Sequence, residues 1–222
     1  MKKRAWSFSA LDMFEKCRKK FYHLKVKKDV KEPDNQWQAD GKFVHDALFK
    51  YVMEGVPLPV QLRHMQGSAD RAMSLPHDER YGEMRLCLNH KLQPVDFFAK
   101  DAWVRAVLDL LLLSDNSTIA FVIDWKTGKQ KPGFDQLKLA AAILSRLMPE
   151  IEQFVLVYAW LKDNEFTRET IHKDQLKQVW LDFMPRAAAI DEAEKTGDWP
   201  LNPTPLCGYC PVKSCPEWYE RD

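Results

Sequence analysis

Apolar positions give the first picture of this chain. In "SALDMFEKCRKKFYHLKV", Leu11, Phe14, Cys17, Phe21 and Leu24 recur at the spacing of one helix face, with Ser9 placed to cap it. A loop, "KEPDNQWQADG", leads to a second amphipathic helix, "KFVHDALFKYVMEG", that ends near Gly55. Residues 56–80 mix prolines with helical patches and read as connecting helices. From Tyr81 the period changes to two: Met84, Leu86 and Leu88 alternate with Glu83, Arg85, Cys87 and Asn89, as in a half-buried strand. Two further strands, over about 103–113 and 119–126, flank the turn "SDNS" and complete an antiparallel meander. Then come a helix in "FDQLKLAAAILSRLM", a buried strand in "EQFVLVYAWL", a strand in "EFTRETI" and a long helix, "KDQLKQVWLDFMPRAAAIDEAEKTG", with a kink expected before Pro185. This order predicts an α/β fold, a mixed sheet covered by helices on both sides.

Length and composition narrow the organisation. With 222 residues, 45% hydrophobic and 29% charged, the chain suits one domain. Its parts would be a helical region 1–80, a core 81–196 and a cysteine-rich tail 197–222. No apolar stretch approaches the roughly 20 residues of a bilayer-spanning helix. The start, "MKKRAWSFSALDMF", has a basic lead but no apolar signal segment, so a cytoplasmic protein without membrane attachment is expected. A net charge of +1 conceals an asymmetry: residues 1–31 hold eleven Lys or Arg against three Asp or Glu. That excess fits either a surface that meets a polyanion or a solvated lysine-rich face.

Asp109, Asp124 and Lys126 then change the picture, because they stand where a buried sheet wants Val or Ile. Asp124 and Lys126 share one face of their strand while Trp125 points away. Counting from the turn brings Asp109 near Asp124 across the hairpin, offset by about two residues. Two carboxylates in an apolar setting repel each other and lose hydration unless a cation compensates. Mg²⁺ suits the task, since it takes hard oxygen ligands and bridges to phosphate. A cross-strand ion pair between Asp109 and Lys126 would also account for the pattern. What raises the acid–x–Lys signal is an ordered set: His45 on a helix, an acid in one strand, Asp-Trp-Lys in the next, and Gln136 at the start of the following helix.

In that order the chain resembles the PD-(D/E)XK nuclease superfamily and, within it, the RecB-like nucleases of bacteria and phages, which include the CRISPR adaptation exonucleases. The resemblance rests on "SFSALDMFEKCRKKFYHLKV", "GKFVHDALF", "RAVLDLLL", "VIDWKTG", "FDQLKLAA" and "LCGYCPVKSC". It implies a restriction-endonuclease-like sheet in which His45, Asp109, Asp124 and the backbone carbonyl of Trp125 ligate Mg²⁺ or Mn²⁺. It makes Lys126 the catalytic lysine, with Gln136 reaching the same centre and Glu83 a supporting acid near the metal or the DNA. Relatives often carry a tyrosine shortly after the glutamine; "QLKLAAAIL" has none, which leaves Lys138 or another residue to take over any phosphate contact.

Five cysteines in a reducing compartment argue against disulfides. Cys207, Cys210 and Cys215 cluster in the tail and leave a thiolate site one ligand short, with Cys17 and Cys87 as candidates. The family resemblance selects Cys17 and implies a four-iron, four-sulfur cluster that joins the two chain ends; zinc in the same four thiolates is the rival. In relatives a proline usually follows the first cysteine, where this chain has Arg18. The expected activity is a metal-dependent DNA exonuclease on single strands or frayed ends in recombination, repair or phage DNA metabolism, with protein partners in recombination or replication. Trp6, Phe21 and Tyr22, interleaved with the basic residues of the first helix, would stack on bases. The competing expectations are a non-catalytic DNA-binding module of the same fold, and an RNA-directed or endonucleolytic activity.

Overall fold

The computed structural model describes residues 4–32, 36–130 and 133–220; Lys2 and Lys3 of the basic segment lie outside them. The helices are α1 (Phe8–Lys16), α2 (Arg18–Phe21), α3 (Gln36–Phe49), α4 (Gln66–Met73), α5 (Asp135–Leu147) and α6 (Leu176–Thr196). Five strands, β1 (Glu79–Asn89), β2 (Ala102–Ser114), β3 (Ile119–Lys126), β4 (Gln153–Trp160) and β5 (Glu165–His172), form one sheet in sequence order. The β1–β2, β2–β3 and β4–β5 pairs are antiparallel. Among the five strands described, β3 and β4 are the parallel pair, and α5 supplies the crossover that a parallel pair requires. The mixed α/β sheet anticipated from the sequence is therefore present.

Each face of the sheet has its own core. On one, Leu86, Leu88, Leu113 and Leu156 pack with Leu11 and Phe14 of α1, Ile143 of α5 and Phe183 of α6. On the other, Leu110, Leu112, Ile123 and Trp125 meet Val44 and Leu48 of α3 and Ala69 of α4. Covering on both sides explains the near-continuous apolar run of β4.

Several boundaries differ from the pattern along the chain. Ser7, not Ser9, caps α1, its Oγ accepting the Ala10 N–H at 3.4 Å. The first helix is not continuous, because Cys17 is extended (φ −163°, ψ 107°) and its Sγ accepts the Lys20 N–H at 3.4 Å to restart the chain as α2. A π-helical turn, Tyr22–Lys27, follows. The apolar stripe survives this break, so periodicity did not register it. Helix α3 starts at Gln36, within the stretch read as loop; Gly41 lowers its propensity by only about 1 kcal/mol. Helix α6 runs through Pro185 without interruption and closes at Gly197 (φ 72°).

Two features position the functional residues. In β1, Gly82↔Leu110 and Met84↔Leu108 set Glu83 opposite Asp109, and Glu83 has a left-handed backbone (φ 51°). Beside it, a Cβ on Gly82 would lie 2.8 Å from the Phe49 ring and from Met53 Cγ, so only glycine lets the end of α3 and the turn after it rest on β1. Gly82→Ala is expected to cost about 1–3 kcal/mol in urea unfolding, through overpacking. The second feature is the β2–β3 ladder, which reaches Leu110↔Ile123 and goes no further towards the start of β2. The chain's beginning takes the edge that β3 vacates: Trp6 N donates to Trp103 O and Arg105 N donates to Trp6 O, both at 2.9 Å.

Candidate active site and metal centre

Where β2 and β3 part, the register places Asp109 directly across from Asp124, without the two-residue offset counted from the turn. The turn itself is the reason. Asp115, Asn116 and Ser117 all adopt left-handed backbones, closing a tight loop above the pair Ser114↔Ile119. Asp109 Oδ2 accepts the Trp125 N–H at 2.8 Å, satisfying a donor that the ended ladder would leave bare. Its Oδ1 lies 3.1 Å from Nδ1 of His45, carried by α3. Glu83 completes this group: among the described residues, His45, Glu83 and Asp109 are one set whose ligand atoms all lie within 4.8 Å of one another.

A second group interlocks with the first. Asp124 is buried, and its Oδ1 accepts from Gln136 Nε2 at 2.7 Å. Its Oδ2 lies 2.7 Å from Lys126 Nζ but without hydrogen-bonding angles, so this is an ion contact with no directed donor. Lys126 Nζ donates to Gln136 Oε1 at 3.0 Å, so one amide bridges acid and lysine. The partner of Lys126 is thus Asp124 rather than Asp109. The ammonium also lies 5.0 Å from the centre of the Tyr158 ring, which stacks on Phe134. Tyr158 went unnoticed in the sequence. It stands beside Asp124 in the parallel β3–β4 register, and its one signal was a phenol in an otherwise apolar strand.

Electrostatics show how crowded the anions are. Burial, followed by the charge of Asp109, pushes the Asp124 carboxyl up to about 6, against the opposing pull of Lys126. Burial and then Asp109 also raise Glu83. For His45, burial disfavours the charged ring, yet the hydrogen bond and charge of Asp109, with Asp124 and Glu83 behind them, outweigh it and raise the pKa. The carboxylates of Glu83, Asp109 and Asp124, the last with an undirected buried oxygen, make with the His45 imidazole an oxygen-rich donor set that a divalent cation fits, because its charge relieves the same repulsion.

The match to known families agrees with this chemistry. The model of the PD-(D/E)XK nuclease superfamily matches residues 5–216. This chain belongs to that superfamily. The family implies a metal-dependent nuclease and a nucleic-acid substrate. The chain is also similar in structure to a solved protein described as SSO0001, at 16% sequence identity and a TM-score of 0.49, over 97% of this chain and 87% of that one. No curated protein matches the chain. Among the described residues, no helix is long and apolar enough to cross a membrane.

Outside the nuclease centre, two expectations change and one set of residues meets. Trp6 and Phe21 are 4% and 1% exposed and belong to the core, and Tyr22 packs on Trp199, so the aromatics of the first helix are not a stacking surface. Phe21 lies on the buried stripe of the first helices, and Trp6 is held beside Val104 of β2. Lys138 pairs with Glu169 of β5 at 2.7 Å and takes no place among the nuclease residues. Cys17, Cys207, Cys210 and Cys215 line one cavity of about 30 Å³, and burial raises the Cys210 thiol. Cys87 is buried in β1, away from that cavity.

Proposed function

We propose that this chain is a Mg²⁺- or Mn²⁺-dependent deoxyribonuclease of the RecB-like kind, an exonuclease that hydrolyses phosphodiesters of single-stranded or frayed DNA in recombination, repair or phage DNA metabolism. The observation that carries the reading is the meeting of the His45–Glu83–Asp109 set with the Asp124–Lys126–Gln136 set where β2 and β3 part. His45, Asp109 and Asp124, with the Trp125 carbonyl, would hold the cation, and Glu83 joins them as a ligand in place of its anticipated supporting role. A cation bound there supplies Lewis acidity to the phosphate and makes water a better nucleophile at neutral pH. Lys126 sets the attacking water and offers positive charge to the crowded phosphate oxygens. Gln136 fixes the lysine and Asp124 in one geometry, and Tyr158 supports the ammonium from beneath.

The four cysteines support a four-iron, four-sulfur cluster that joins α1–α2 to the tail within one nuclease unit. The cysteines line a common cavity, as ligands of one shared site must, and zinc in the same four thiolates is the rival. Anaerobically purified protein is expected to be brown and to contain iron; a colourless, zinc-loaded protein would overturn this assignment. Reduced thiols also fit a cytoplasmic setting.

End-labelled single-stranded and duplex DNA, incubated with Mg²⁺ or Mn²⁺ and separately with chelator, test the activity. Progressive shortening of the single strand with metal and none with chelator is expected. Tight DNA binding without metal-dependent cleavage would replace the enzyme by a binding module, and cuts confined to internal positions would overturn the exonuclease.

A further inference from the structure

The cleft beside the catalytic acids does not end there. A cavity of about 460 Å³ lies between the start of α1, β2 and the start of α5, with Asp109, Asp124 and Gln136 in its wall. A second, of about 690 Å³, shares Ala5, Trp6, Ser7, Ser9 and Arg105 with the first, so the two adjoin along the chain's beginning. Five cations line the second: Arg4, Lys25, Lys28, Lys100 and Arg105, with no carboxylate among the described residues of its wall. Arg4 is engaged by Glu194 at 3.2 Å, but the other four have no ion pair among the described residues. Phe98, on the β1–β2 loop, also lines this cavity and is 74% exposed. The guanidiniums of Arg85 and Arg105 lie 5.8 and 5.7 Å from the centre of its ring. At the join, Trp6 Nε1 is buried without a hydrogen-bond partner.

These features differ from anything the catalytic centre needs. A ring open to solvent beside two guanidiniums is free to take a stacking partner, and cations gathered without acids repel one another until an anion intervenes. An aromatic platform among backbone-binding cations is the arrangement that holds unpaired nucleic acid, because every base offers a face to stack while phosphates track the charge. In a duplex the faces are already stacked, so Phe98 has no use for one away from an end. We infer that this basic arm is the binding track for single-stranded DNA: a strand whose scissile phosphate lies at Asp109 and Asp124 continues past Arg105, stacks a base on Phe98 and lays its phosphates along Lys25, Lys28 and Lys100. The inference rests on the nuclease reading and adds where the strand lies and why it is single.

Binding in chelator separates the two. Wild-type protein is titrated into a labelled single-stranded oligothymidylate and into a duplex of equal length, at several salt concentrations, alongside Phe98→Ala and the double variant Lys28→Ala/Lys100→Ala; thermal melting checks that each is folded. Phe98→Ala is expected to weaken single-strand binding about tenfold and to change duplex binding little. The double variant is expected to lower the slope of log affinity against log salt by about 1.4, which is about 0.7 for each phosphate of a single strand that a lysine no longer neutralises. Variants that bind the single strand as the wild type does, or that lose equally for duplex, overturn the track. Cleavage of the same oligonucleotide by wild-type protein in Mg²⁺ is read separately. Protein that shows these binding losses but never cuts overturns the nuclease reading and leaves the track, whereas protein that cuts with unaltered affinities does the reverse.

Discussion

Lys126→Met is expected to remove about a thousandfold or more of the metal-dependent cleavage rate while leaving a folded protein. The side chain of Lys126 is partly exposed, and methionine keeps most of its aliphatic stem against Tyr158. What is lost is the ammonium between Asp124 Oδ2 and Gln136 Oε1. Proton handling by a positioned side chain and charge stabilisation in a water-poor site are each worth about 100-fold or more, and because effects supplied by one group do not multiply in full the expected loss is about a thousandfold or more. The loss should fall on kcat measured in single turnovers, with DNA affinity nearly unchanged. Lys126→Arg should not rescue, because a guanidinium is wider, stays protonated and cannot fit the bridge made by one amide oxygen. A loss of tenfold or less in Lys126→Met would remove this residue from the chemistry.

Asp109→Asn is expected to abolish both activity and the stabilisation that metal confers. In the wild type, Mn²⁺ at 100 times its dissociation constant should stabilise the fold by about 2.7 kcal/mol, because the cation binds only where the acids are assembled. Asparagine can still accept the Trp125 N–H, so the local fold is retained, unlike Asp109→Ala, which would strand that donor. The variant should therefore melt close to the wild type in chelator and gain nothing from Mn²⁺. Glu83→Gln should also lose most of the Mn²⁺ gain, since Glu83 belongs to the same close set. A full Mn²⁺ shift in Glu83→Gln with none in Asp109→Asn would return Glu83 to a supporting place.

Much of this architecture was legible because it is local. The strands β2 and β3 were placed within a residue by alternation and by the "SDNS" turn, and Asp109, Asp124 and Lys126 stood out as polar residues at apolar positions, whereas His45 and Gln136 were drawn in by the ordered set and the resemblance it carries. What escaped depends on long-range relations or on backbone shape. Nothing in "YGEMRL" reveals that Glu83 will face Asp109; that follows from the β1–β2 register. Tyr158 reaches Lys126 only because β3 and β4 pair in parallel, a relation decided by the crossover through α5. Cys17 looked like one more apolar point on a stripe, since a single extended residue leaves the spacing of Phe14 and Phe21 compatible with one helix. The interleaving of aromatic and basic residues misled in the other direction for Trp6 and Phe21, whose rings belong to the core. Charge counts located the basic region, but only the fold joins Lys25 and Lys28 to Lys100 and Arg105, far apart in sequence, along one cavity.

The claim on which the rest depends is that a divalent cation is held between His45, Glu83, Asp109 and Asp124. Crystals equilibrated with Mn²⁺ and measured for anomalous scattering test it most directly. A manganese peak in contact with Asp109, Asp124 and His45 is the predicted result, and saturating Mn²⁺ that leaves no peak within reach of these side chains would contradict it.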